Sequence, residues 1–329
     1  MRLQTLAALL CAALLLVACG QQTPAAAPTQ APAAANATPQ VAAAPLDEPL
    51  NVVATTGQIA DAVTVIAQDK VQLTNLLGPG VDPHTYVATE SDLQTFQNAD
   101  LIFYNGLRLE AQMDRVLEQI GASGTVKVVA VGDTLDPLTL LNWEPEAGLP
   151  YDPHIWNDMR LWTRVIYTIR DTLMEMDPAH ASVYEANAAR YATEIETLHE
   201  YTLEQVQRIP QERRVLITAH DAFNYYGRAY GLQVEAVQGI STESEASVAD
   251  IQVLADLVLE RQVPAIFIES TISPRTIEAV IAAAREGGQE VRIGGELYAD
   301  ALGEPGGDAD TYLKMMRHNI DTIVMALGA

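Results

Sequence analysis

The chain has 329 residues, 49% of them hydrophobic, which is enough for a buried core divided over about two domains at roughly 150 residues each. Its formal net charge is −24, from 43 acidic against 19 basic residues. A surface this acidic excludes the basic footprint of a nucleic-acid binder. It goes equally with a cationic ligand and with plain solubility.

The chain opens on Arg2 and an apolar run from Leu6 to Ala18, broken only by Cys11. That run is too short to span a ~30 Å hydrocarbon core and reads as a signal peptide over residues 1–18. It ends in Leu16-Val17-Ala18-Cys19-Gly20, which resembles a bacterial lipobox, with Cys19 lipidated and left as the mature N-terminus. The alternative is an ordinary signal peptide that contains a cysteine. Two or more acyl chains, each stabilised by roughly 0.8 kcal/mol per buried CH₂, would anchor the protein stably at the outer face of the membrane. Cys11 leaves with the signal and Cys19 is capped. Any metal site in the folded part must then be built from histidines and carboxylates.

Residues 19–48 are dominated by Ala, Pro, Thr and Gln without periodicity, and read as a flexible tether. From 49 to 176, short β-branched runs alternate with helical patterns: Leu50 to Thr55, Val71 to Leu77, Leu101 to Tyr104 and Val126 to Val131. Residues 177–210 carry one long helical pattern. Asp177 stands at its N-cap and Pro178 at N1, and Tyr184, Ala188, Tyr191, Ile195, Leu198, Thr202 and Val206 recur on one face up to Pro210. At 1.5 Å per residue this is a rod of about 46 Å, and a rigid bridge of that kind predicts small movements on ligand binding. From 211 to 329 the alternation resumes with Arg214 to Thr218, Val234 to Val237, Ala265 to Ile268 and Glu290 to Ile293. A closing amphipathic helix has Leu313, Met316, Ile320, Ile323 and Leu327 on its packing face. Strands alternating with helices predict an α/β fold of parallel sheets in two similar lobes joined by the long helix.

Two of the six histidines, His84 and His154, sit in the same tripeptide, Asp-Pro-His, within loops. Proline fixes φ just before each histidine. Asp82 and Asp152 are placed to accept a second ring N–H. His220 follows the strand ending at Thr218, so it lies at a carboxyl end, where open α/β sheets bind ligands. Asp300 occupies a comparable rim past Ile293. Any one of these histidines alone would read as a satisfied core or surface residue. Together they point equally to coincidence and to a metal site between the lobes. His180, His199 and His318 lie in or beside helical patterns and are given no metal role.

Six stretches carry a family resemblance. They are Gly78 to Tyr86, Asp152 to Trp156, Thr218 to Gly231, Gln238 to Ser247, Ile268-Glu269-Ser270 and Gly294 to Leu302. With them the chain, from about Leu50 to its end, resembles the substrate-binding proteins of zinc and manganese ABC importers, the cluster A-I or ZnuA/TroA-like family. The resemblance implies two (β/α)₄ lobes on one rigid helix and a single transported Zn²⁺ or Mn²⁺ per chain. It implies ligands at His84, His154, His220 and Asp300, and partners in an ABC permease and ATPase, with the chain itself a monomer and not an enzyme. Asp221, Glu243 and Glu269 fall in matching motifs, either as supports of the ligands or as plain fold support. Glu269 has Arg275 as a candidate ion-pair partner.

Three imidazoles and one carboxylate suit tetrahedral zinc. Manganese prefers more oxygen. Relatives that favour manganese often carry Glu where this chain has His220, whereas dedicated zinc members often carry a His-rich loop that Asp133 to Tyr151 lacks. Two other functions compete. One is a surface adhesion lipoprotein with a structural metal. The other is a metal-dependent hydrolase, which needs an open coordination position and a nearby base, and for which no His-Glu-x-x-His helix is present.

Overall fold

The computed structural model describes residues 48–144 and 149–328. The signal, Cys19 and all of the tether but its last residue lie outside the described residues. Among the described residues no helix is long and apolar enough to cross a membrane.

The first half builds one parallel sheet. Its strands are β1 (Leu50–Ala54), β2 (Val71–Asn75), β3 (Leu101–Tyr104) and β4 (Lys127–Ala130), in the order β2-β1-β3-β4. Helices α1 (Gly57–Ala67), α2 (Glu90–Gln97) and α3 (Asp114–Ser123) connect them. Thr89 opens α2 with a capping box, its hydroxyl taking the Asp92 N–H while Asp92 reaches back to the Thr89 N–H. A short antiparallel hairpin follows, β5 (Asn142–Glu144) with β6 (Leu149–Tyr151), which the helix-strand alternation does not foreshadow.

Next come α4 (Met159–Met176) and α5 (Ala181–Val206). The long bridging helix is shorter than expected, with 26 α-helical residues, about 39 Å. Its first turn, Pro178–His180, is 3₁₀. Asp177 makes no side-chain cap bond there. Its carboxylate instead accepts from His180 Nδ1 and from the Tyr184 hydroxyl, both at 2.6 Å. At the far end α-geometry stops before Pro210, which has no N–H to donate and disfavours helix in the residue ahead of it.

The second half has β7 (Val215–His220) paired in parallel with β8 (Gln233–Gln238), and β9 (Ala265–Glu269) paired in parallel with β10 (Arg292–Leu297). Strands β7 and β9 lie side by side. The spatial order β8-β7-β9-β10 repeats β2-β1-β3-β4, with the second half built as two hydrogen-bonded pairs packed side by side rather than one continuous ladder. Helices α6 (Asn224–Tyr230), α7 (Val248–Arg261), α8 (Arg275–Glu286) and α9 (Tyr312–Leu327) complete this half. Strand β10 runs past Ile293 to Leu297 through a register shift at Gly294-Gly295, and Gly295 has φ +144°, a region open to glycine.

Alternate residues of β1 face opposite cores. Leu50, Val52 and Ala54 join a central core with Leu216, Phe267, Leu297 and the buried faces of α4, α5 and α9. Val53 packs outward with Ile102, Phe96 and Leu117. On β7, Leu216 faces the central core, while Val215, Ile217 and Ala219 face a third core under α7 and α8.

Candidate metal centre

In both halves the strand order reverses between the first and third strands, and open α/β sheets form their ligand crevices at such switch points. His220 is the last residue of β7 and Glu269 the last of β9, so this pair stands at the switch point of the second half. The Glu269 carboxylate accepts the His220 backbone N–H at 2.9 Å and faces Nδ1 at 2.5 Å. With Nδ1 turned to Glu269, Nε2 is the nitrogen that faces the crevice. Glu269 makes no ion pair with Arg275 among the described residues, since its oxygens are taken by His220.

His154 is ordered the same way from a loop. Asp152 Oδ1 accepts the His154 N–H at 2.9 Å and meets Nδ1 at 2.7 Å. The tripeptide around His84 behaves differently. Asp82 accepts the His84 backbone N–H at 2.9 Å, but its other oxygen takes the hydroxyls of Thr85 and Thr242 rather than the ring. Asp300 lies three residues beyond β10, beside the first-half loops.

These four residues meet. Their ligand atoms all lie within 4.8 Å of one another, and every one of the four side chains is buried. His84 Nε2 is 3.2 Å from His154 Nε2. Asp300 presents Oδ2 to His220 Nε2 at 3.1 Å and to His84 Nε2 at 3.5 Å, and Oδ1 to His154 Nε2 at 3.5 Å. Close as they are, Asp300 and His220 Nε2 do not meet in hydrogen-bond geometry, and among the described residues neither Asp300 oxygen nor His220 Nε2 has another partner. Buried polar atoms are rarely left so. A tetrahedral cation with bonds of about 2.0–2.1 Å spaces its donors about 3.3 Å apart, which is the spacing of these close pairs.

The electrostatics follow from burial and mutual approach. Burial pushes the His84 imidazole down to about 3, against the pull of Asp300, so it is neutral at physiological pH. Burial alone would raise the Asp300 carboxyl. His220 first, then His154 and His84, hold it well below the usual carboxylate range. His220 is pushed the other way from His84, because Glu269 and Asp300 together outweigh its burial. The cage thus sets the Asp300 anion among imidazole nitrogens, and a small divalent cation entering it takes the place of the proton that Glu269 and Asp300 favour on His220.

Of the three carboxylates singled out beside the ligands, Glu269 alone touches one of them. Asp221 is pushed up by burial and lies next to His220, with its backbone N–H on the Gly239 carbonyl. Glu243 sits on the rim, exposed, accepting from Gln112. His180, His199 and His318 lie outside the cage, against Asp177, the Tyr230 hydroxyl and the Glu296 carbonyl.

Further support is not legible in the sequence. At the switch point of the first sheet, the buried carboxylate of Glu110 accepts from Thr55 Oγ1 and the Asn105 N–H, both at 2.7 Å, and from the Gly106 N–H at 3.1 Å. Burial pushes Glu110 up to about 7. Asn105, fixed in this way, donates from Nδ2 to the Pro153 carbonyl at 3.0 Å, one residue before His154. Glu110, from the loop beyond β3, thus ties together Thr55, one residue past β1, and Asn105, one residue past β3.

Two parallel α/β halves on a bridging helix, with three histidines and an aspartate converging between them, define the class of helix-bridged metal receptors. Residues 52–326 match the family described as zinc-uptake complex component A, periplasmic, and the chain belongs to that family. It is 46% identical over 277 residues to the zinc-binding protein TroA of Treponema pallidum, covering 84% of this chain and 88% of the relative. It is 41% identical over 281 residues to the manganese-binding lipoprotein MntA of Bacillus subtilis, covering 85% and 90%. The solved structure of the periplasmic zinc-binding protein TroA superposes with a TM-score of 0.82 at 45% identity, covering 85% of this chain and 99% of that one. Homologues of this chain are extracytoplasmic metal-binding receptors of ABC importers for zinc or manganese.

Proposed function

We propose that this chain captures one Zn²⁺ or Mn²⁺ in the cage of His84, His154, His220 and Asp300 and delivers it to an ABC permease driven by its ATPase. One observation carries the reading. Both Asp300 oxygens and His220 Nε2 are buried without hydrogen-bond partners, amid donors at the spacing of a metal's coordination shell. A cation satisfies all of them together. Four protein donors complete a tetrahedron and leave no position for a reacting water, so the site suits carriage rather than hydrolysis. Three imidazoles favour zinc, and the Irving–Williams order ranks zinc above manganese at such a site. Both carboxylate oxygens face inward, which offers manganese an added donor.

The same reading assigns residues 1–18 to a lipoprotein signal, Cys19 to the lipid anchor and 19–48 to the tether. It assigns 49–176 and 211–329 to the two lobes and 177–210 to the link. The receptor works as a monomer on the extracytoplasmic side of the cell membrane, at an open outer face or in a periplasm.

The test is metal content. The full chain in detergent is stripped, offered Zn²⁺ and Mn²⁺ separately and then together, and its bound metal is counted by elemental mass spectrometry. One metal per chain is expected, with zinc displacing manganese, and none in His220→Ala. A folded, reloaded chain holding no stoichiometric metal would sink this reading and favour the adhesion lipoprotein.

A further inference from the structure

Asp300 belongs in sequence to the second half, yet the atoms that orient it come largely from the first. The segment His154-Ile155-Trp156 turns away from the cage in a 3₁₀ turn, Ile155–Asn157, and buries the Trp156 indole, which is 1% exposed. The indole N–H donates to the Ala299 carbonyl at 2.8 Å, across 143 residues of chain. Gln58 of α1 adds a longer bond to the same oxygen, at 3.4 Å. That carbonyl belongs to the peptide joining Ala299 to Asp300. A peptide is planar, so holding its C=O fixes the direction in which the Asp300 backbone leaves it.

The surroundings leave little play. Next to Asp300, a Cβ on Gly57 would stand 3.1 Å from Leu302 Cγ, so the start of α1 already abuts the Asp300 loop. Behind it, Asn319 of α9 brackets Tyr298, donating to its carbonyl at 2.8 Å and accepting its N–H at 3.0 Å. Trp156 is itself pinned, because its carbonyl accepts the Tyr312 hydroxyl at 2.8 Å. Its ring also stands edge-on to the His154 imidazole, with centroids 5.3 Å apart. One side chain thus touches one ligand and aims the peptide of another from the opposite half.

We propose that Trp156 is a positioning residue for the metal cage, setting where the Asp300 carboxylate enters it through the indole bond to the Ala299 carbonyl. The proposal rests on the four-residue metal cage. Phenylalanine at 156 keeps a buried ring and removes the N–H, and the Ala299 carbonyl is left with the long Gln58 bond. Ligand supports of this kind are worth about 10–100-fold in metal affinity.

Cobalt(II) is the probe, because its d–d absorption reports the donor geometry. Full-length wild type and Trp156→Phe, stripped in detergent, are titrated with Co²⁺, and their metal-free melting points are compared. The expected result for Trp156→Phe is one Co²⁺ per chain at least tenfold more weakly held. Its d–d bands should be altered, beyond anything the change in melting point accounts for. Wild-type bands and affinity in the variant would overturn the proposal, even with a lowered melting point, because then Trp156 merely fills space. A wild-type chain that takes up no cobalt would overturn the cage itself and this proposal with it. Should Trp156→Phe fail to fold, the wild-type protein decides by NMR. The Trp156 indole N–H is expected to be protected from solvent exchange and to shift when metal is added. An indole proton that exchanges freely and ignores the metal would overturn the role.

Discussion

Glu269 holds His220 with both carboxylate oxygens, one on the backbone and one on the ring. Glutamine at 269 has one oxygen and one NH₂, so it must turn a donor toward one of those two donors. The ring or the backbone of His220 then loses its support, and the expected cost for Glu269→Gln is 10–100-fold in Zn²⁺ affinity, as found for carboxylates behind metal-bound histidines. Titration against a chromogenic chelator measures it. Glu243→Gln, on the exposed rim, should change affinity by no more than about twofold. Equal losses in the two variants would mean that the cage responds to net charge and not to the geometry of His220. The difference between these glutamates also marks how far single residues could be read. The three histidines stand out in the sequence because two share a tripeptide and the third ends a β-branched run. Of their supports Asp152 stands out, within the tripeptide of His154, and the others do not, because their partners are remote. Thr55 meets Glu110 across 55 residues, Asn105 meets Pro153 across 48, and His220 meets Glu269 across 49. No local pattern encodes such pairs. Glu110, which no motif singles out, is fully buried.

At the scale of elements, the strands were legible where branched residues run together, as in β1, β3 and β7. The end of β10 was hidden, because Gly294, Gly295 and Glu296 break the run while the backbone stays paired with β9 through Leu297. The hairpin of β5 and β6 was hidden too. Each strand has three residues, too few to show a period. In the linking helix the apolar spacing marks the buried face and overshoots both ends, because it follows a packing stripe and not the residue where hydrogen bonding stops. That stripe supports a stability prediction. Ile195 is completely buried in the central core. Ile195→Ala should lower unfolding free energy by about 2–5 kcal/mol in denaturant titrations while leaving one metal bound per chain. A variant that loses metal along with stability would show that the rod also tunes the cage, which none of the ligand-supporting bonds requires.

The whole molecule is drawn as two lobes, but its packing is not divided that way. The central core takes Leu50, Val52 and Ala54 from the first sheet, and Leu216, Phe267 and Leu297 from the second. It runs without interruption through α4, α5 and α9, and the two outer cores lie on the far faces of the same sheets. Neither sheet can expose its inner face without uncovering the other. The hydrogen bonds between halves agree: Tyr225 to the Asp152 carbonyl, Asn157 to the Ala222 carbonyl and Trp156 to the Ala299 carbonyl. Two lobes that share a core should unfold as one cooperative unit, and a metal held between them should raise that single transition as a whole. Free metal at 100 times its dissociation constant stabilises by about 2.7 kcal/mol. For a chain of this size that is roughly 5 °C. Scanning calorimetry of the stripped protein should therefore show one peak that moves up intact with Zn²⁺, and His220→Ala should keep the peak and lose the shift. Two peaks, with metal moving one of them alone, would mean that the halves are energetically separate and that the cage reports on one of them. A rigid shared core also limits what capture can do to the shape. The contacts across the mouth of the cage are the exposed pair Gln112 with Glu243 and the half-buried pair Thr242 with Asp82, and a rigid shared core predicts that capture proceeds by small movements there rather than by wide opening.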